Sequence, residues 1–210
     1  MIIEGKRTRN ARRSGQATRE QLLETAAILF ARKGLHGVTL AEIAGEAGMS
    51  GPAIYNHFRS KDALFVEVVC QMYEEEIEAF KKVLDPLDSL QQALRELFEL
   101  VPRLYRDDSV LQLLGLTAQL EAVRNPTLFG AVIEAAARRD QVAVDLVRRA
   151  QQRGEVPAHL SAHEVGAMVI ALFVGALGYR SLHARGHEDF VSSLSALCEL
   201  LEMGLPAQVN

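Results

Sequence analysis

The chain has 210 residues, of which 49% are hydrophobic and 24% charged, a balance that excludes a disordered chain and suffices for a sizeable core. Its net charge of −4 speaks at first against a polyanionic partner, but residues 1–61 carry 10 Lys and Arg against 5 Asp and Glu, and residues 62–210 carry 13 against 22. A head at +5 on a body at −9 is the asymmetry expected when one module meets a polyanion and the other does something else.

In chain order, residues 1–17 read as a flexible basic arm. No apolar run follows its basic residues, so a secretory leader is not expected here. Thr18 to Gln21 forms a capping box for a helix over 19–33, whose Leu22, Ala26, Leu29 and Phe30 recur at helical spacing and whose C′ residue is Gly34. Thr39 to Glu42 forms a second box, opening a helix over 40–47 with Leu40, Ile43, Ala44 and Ala47 inward. Gly48 suits a reversal at positive φ, Met49 packs inward, and Ser50 caps a short helix over 51–57 in which Pro52 falls at N2.

Longer amphipathic helices follow over 61–83, 89–105, 108–124, 126–153, 162–185 and 188–203. Asn125-Pro126 reads as N-cap and N1, Ser161 to Glu164 as a third capping box, and Gly154, Gly186 and Gly204 as C′ residues. No stretch shows sustained β alternation, so the chain is expected to be all-α with about nine helices. Its longest uncharged stretch, Val165–Tyr179, is 15 residues, short of the ~20 that span a bilayer. Cys70 and Cys198 lie in apolar helical patterns and read as buried thiols of a reducing compartment. A cytoplasmic protein with no membrane partner is expected.

The two short helices with a glycine turn form a helix-turn-helix, the second member of which enters the major groove. Helix 19–33 completes a three-helix head over 18–64, and 65–210 forms a larger helical body. The residues Ala27, Leu29, Phe30 and Gly34, then Thr39, Ile43, Ala44, Ala47, Gly48, Met49 and Ser50, then Ile54, Tyr55, His57, Phe58, Lys61 and Leu64 carry a resemblance. Over about residues 18–66 the chain resembles the DNA-binding domain of TetR-type regulators. The resemblance implies a homodimer, a double-stranded DNA operator, and a body that binds a small-molecule effector, most simply in a repressor. An activator of the same fold is the first alternative, and a helical enzyme or a protein-interaction module is a more remote one.

Residue chemistry supplies candidate DNA contacts. Thr39 and Ser50 sit at helix N-termini, where hydroxyls and N–H groups suit phosphate. Tyr55 and Lys61 suit phosphate oxygens, and Arg9, Arg12 and Arg13 of the arm, with Arg19, suit phosphates or the minor groove. Gly51, Pro52 and Ala53 put small residues where the family reads bases, which leaves that task to Asn56, His57 and DNA shape. Each has a plain alternative: Thr39 and Ser50 cap helices with or without DNA, Tyr55 and His57 could pack in the head, and the arm could be a solvated tail.

In the body, helix 162–185 is apolar nearly all round and needs covering on more than one side. Helix 188–203 is its natural partner, and the resemblance implies that the two pair with their symmetry mates in a four-helix dimer interface; the alternative is a buried central helix of a monomer. Phe65, Val69, Met72, Tyr73, Phe98 and Val101, with Leu113, Leu116, Thr117, Leu120, Phe129 and Ile133, could wall an apolar pocket for a lipophilic effector, or could simply be core. Glu74, Glu75 and Glu76 read as a solvated acidic turn. His159/His163 and His183/His187 straddle helix ends without further ligands, so no metal, cofactor or catalytic set is expected.

Overall fold

The computed structural model describes residues 3–104, 109–182 and 196, with side chains placed except at 3–15, 98, 99, 101–104, 109–112 and 176–182. Among the described residues it is helical throughout: α1 (Ile3–Lys33), α2 (Leu40–Glu46), a 3-10 helix (Gly51–Asn56), α3 (Lys61–Leu84), α4 (Leu90–Leu104), α5 (Ser109–Arg124), α6 (Gly130–Gln152) and α7 (Ala162–Leu182). The all-α expectation is met. Helix 188–203, Gly186, Gly204, Cys198 and the pair His183/His187 lie outside the described residues.

Two helix starts differ from the sequence expectation, each for a local reason. α1 begins at Ile3 rather than at 19, because the expected arm holds mostly good helix formers and no proline. Thr18 therefore lies inside a helix and opens nothing. α6 begins at Gly130 rather than 126; Asn125 caps the preceding turn, its Oδ1 accepting from Leu128 N at 3.1 Å. Two of the expected capping boxes form. Thr39 Oγ1 accepts from Glu42 N at 3.2 Å and Ser161 Oγ from Glu164 N at 3.3 Å, while Gly34, Gly48 and Gly154 all take positive φ.

The chain divides into two compact units, one of Met1–Met72 with Leu113–Val132, the other of Tyr73–Gln112 with Ile133–Asn210. In the first, the buried faces of α1 (Leu22, Ala26, Phe30), α2 (Ile43, Ala44) and early α3 (Leu64, Phe65, Val69) are joined by Leu114 and Ala118 of α5. Phe65 anchors this core, edge-on to Phe30 at 5.2 Å and to Phe129 at 5.7 Å between ring centroids. Cys70 is half-buried rather than buried, its thiol 3.6 Å from the carbonyl of Ala131.

In the second unit, Phe80 and Leu84 of α3, Ala93 and Leu97 of α4, Ala143 and Leu146 of α6, and Val169, Ile170 and Phe173 of α7 form one cluster. α6 and α7 approach closely where Gly166 meets Val144. A Cβ added at Gly166 would lie 2.9 Å from the Val144 nitrogen and 3.0 Å from its Cα. Backbone cannot yield as a side chain can, so Gly166→Ala is expected to destabilise by about 1–3 kcal/mol. That outweighs the gain of up to about 1 kcal/mol that alanine brings to a helix interior. Urea unfolding measures the balance, and a net gain in stability would show that the two helices are not in contact at this point.

Candidate nucleic-acid interface

The head presents its second short helix from a tightly built turn. After α2, Ala47 N donates to Ile43 O at 3.0 Å and Met49 N to Ala44 O at 2.7 Å, with Gly48 at φ 72° between them. The chain then enters the segment Gly51–Asn56 as a 3-10 helix rather than the expected α-helix. Gly51 and Pro52 are poor α-helix residues, and a segment this short closes readily with i→i+3 bonds. The hydroxyl of Ser50 makes no capping bond; its carbonyl does the work, accepting from Ala53 N at 2.9 Å.

The 3-10 period of three decides which side chains face outward. Gly51, Ile54 and His57 form the inward row, with Ile54 buried and the other two half-buried. Pro52 and Tyr55 form an exposed row, Tyr55 at 63%, and Asn56 is exposed beside a half-buried Ala53. The face offered to a groove is therefore Pro52, Tyr55 and Asn56. Phe58 is core.

The basic residues divide between packing and surface. Arg19 pairs with Glu67 and lies 5.0 Å over the Phe58 ring, so it braces α1 against α3. Lys61 donates from Nζ to Val38 O at 2.9 Å, binding the start of α3 to the segment before α2; an ammonium has three donors, so two remain. Lys33 pairs with Glu42 and holds that carboxyl below the usual carboxylate range, first through their hydrogen bond. Arg59 is a surface cation that residue patterning does not single out. It is exposed beside the 3-10 helix, and its position flanking the motif was the signal for it. Arg9, Arg12 and Arg13 fall on the α1 backbone three and four residues apart, on one stripe by register.

The expected pocket residues divide between the two units. Phe65, Val69, Met72 and Phe129 are buried in the first unit and Tyr73 in the second. Leu113, Leu116 and Thr117 are half-buried, and Leu120 and Ile133 are exposed. The Thr117 hydroxyl donates to Leu113 O of its own helix at 2.8 Å. The side chains of Phe98 and Val101 lie outside the described residues.

The second unit instead holds a buried polar cluster that sequence reasoning missed. Glu76, expected to be solvated, is 9% exposed, and Arg139 of α6 is 5% exposed. The Arg139 guanidinium lies 4.9 Å over the Tyr73 ring, 2.7 Å from Asp140 Oδ1 and 3.8 Å from Glu76 Oε2. Burial by itself lowers the arginine's pKa, but Asp140, Tyr73 and Glu76 together outweigh it and the net shift is upward. Glu74 is exposed as expected, paired with Arg138 at 2.6 Å. Among the described residues no group of His, Cys, Asp and Glu could hold a metal ion, and no helix is long and apolar enough to cross a membrane.

A positively charged head whose short second helix offers a polar outer face defines a helix-turn-helix DNA-binding protein. Residues 22–68 match the family model for bacterial regulatory proteins of the tetR family. Over those residues the chain carries a tetR-type DNA-binding domain, and it is a DNA-binding transcriptional regulator. It is 21% identical over 168 residues to the transcriptional regulator UidR of Escherichia coli K12, covering 80% of this chain and 84% of the relative. It is 25% identical over 195 residues to the probable acrEF/envCD operon repressor of the same organism, covering 90% and 87%. The structure of a putative transcriptional regulator from Saccharomonospora viridis, solved with choline, is similar at TM-score 0.72 and 26% identity, covering 88% of this chain and 96% of that one.

Proposed function

We propose that the chain is a cytoplasmic, homodimeric repressor that leaves a pseudo-palindromic operator when a small molecule binds its body. The outward face of Pro52, Tyr55 and Asn56 on the 3-10 helix carries the DNA reading. Repressor names among the relatives support the direction of regulation, and the choline complex supports a small-molecule effector. Two-fold symmetry in the protein implies matched half-sites about 34–36 Å apart. An effector that shifts the later part of α3 moves the recognition helices off that spacing, provided it binds the released state more tightly.

The DNA reading is tested by titrating a duplex, selected from a random pool by the wild-type protein, across a range of salt. Arg59→Ala is expected to flatten the slope of log K against log salt by about 0.9, the value for one lost phosphate contact. Tyr55→Phe removes a neutral hydroxyl, so affinity is expected to fall with the slope unchanged. Full affinity in both variants would remove this face from the interface.

α7 supports the dimer. Its inner face is Gly166, Val169, Ile170 and Phe173, while Met168, Ala171, Leu172 and Gly175 are exposed, Met168 at 61%. An apolar stripe of this kind calls for a cover. Met168→Glu is expected to shift the protein toward monomer in sedimentation and to lower duplex affinity with it. A dimer of undiminished strength would place the interface elsewhere.

A further inference from the structure

We propose that Glu121 of α5 is a positioning residue for DNA binding, holding the turn before the helix-turn-helix through His36. The compact unit that contains the DNA-binding head also contains Leu113–Val132, so α5 packs as part of that unit, through Leu114, Ala118 and Ala122. Beside this apolar row the Glu121 side chain is only 8% exposed. A buried carboxylate is costly, and an apolar residue of similar volume is often neutral or better for stability. Its partners show what it holds. Arg124 NH1, one turn along the same helix, donates to Oε1 at 3.1 Å, and the Nε2–H of His36 donates to Oε2 at 3.3 Å across 85 residues of chain.

His36 stands in the tight turn between α1 and α2, flanked by two glycines that the backbone requires. Gly34 is at φ 71°, and a Cβ at Gly37 would fall 2.2 Å from the Lys33 carbonyl oxygen. A restraint on His36 therefore passes to the next residues. Val38 gives its carbonyl to Lys61 at the start of α3, and Thr39 caps α2. The contacts run from α5 through His36 to both helices that frame the recognition segment. Glu121 thus sets the pose of the head without touching DNA.

The test uses the full chain, with Glu121→Gln, His36→Ala, the double variant and His36→Arg, and a duplex selected from a random pool by the wild-type protein. Each single variant is expected to weaken binding about 5–10-fold, the range of a modest coupling free energy, with salt slope and melting temperature close to wild type. The double variant is expected to be no weaker than the singles, and His36→Arg to bind near wild-type strength by keeping a donor to the carboxylate. Additive losses would overturn the proposal, as would unchanged affinity in both singles. So would a changed salt slope in His36→Ala alone, which would make His36 a direct phosphate contact. A lowered melting temperature with unchanged affinity in Glu121→Gln would reduce the contact to a structural one. His36 is 76% exposed, so its replacement tests the proposal even if the Gln variant folds poorly.

Discussion

Phe65→Ala is expected to cost about 3–5 kcal/mol of stability, the range for removing a fully buried aromatic ring. Phe65 has no exposed surface and stands edge-on to two further rings, at interplanar angles of 84° to Phe30 and 76° to Phe129. Such pairs add about 0.5–1.5 kcal/mol each beyond area burial, and neither neighbour can close the gap without giving up its own place. Phe30 comes from α1, so duplex binding is expected to fall in step with the folded fraction. The same variant separates two roles the sequence leaves open for Phe65. A side chain lining a ligand cavity already has space beside it, and its truncation is comparatively cheap. A loss below about 1 kcal/mol in urea unfolding would thus favour the cavity and count against the packed trio. Phe65→Leu, which keeps more volume, is expected to fall between the two.

Apolar positions were the legible part of this chain. Spacing by three and four placed α3 to α6 and the start of α7 within a few residues, and Thr39, Gly48 and Phe58 do what their residue types suggest. Local chemistry governs those positions, so a local reading succeeds. The helix over 51–57 failed in type because Gly51 and Pro52 tilt a short segment toward 3-10 geometry, which changes the outward row. Thr18 failed as a cap because the residues before it continue the helix. The larger omissions are all charges. Glu76, Glu121 and Arg139 are buried, whereas a charged residue is by default assigned to solvent. Arg19 and Lys61, whose residue type suits phosphate, also hold groups distant in sequence, Glu67 and Val38 respectively. Burial of a charge depends on a partner from another helix, and periodicity on one helix carries no record of that partner.

Arg139→Met is expected to cost about 3–5 kcal/mol, although methionine fills much of the same volume and packs well in irregular cores. The loss comes from charge rather than space. Glu76 remains 9% exposed with the cation 3.8 Å away removed, and Tyr73 loses the guanidinium over its ring. Asp140, more exposed at 43% of its side chain, can be rehydrated and contributes less. If this account is right, Arg139→Met combined with Glu76→Leu recovers most of the deficit, since a buried ion pair exchanged whole for apolar groups is often neutral. Acid gives an independent signature. With Arg139 gone from beside it, the buried Glu76 carboxylate takes up a proton more readily folded than unfolded. The variant's deficit is then smallest at low pH and grows as pH rises through the point where folded Glu76 loses that proton. Urea unfolding of wild type, single and double variants between pH 4 and 8 separates the terms. A deficit of the same size across that range, left in place by Glu76→Leu, would assign the loss to packing around Tyr73 instead.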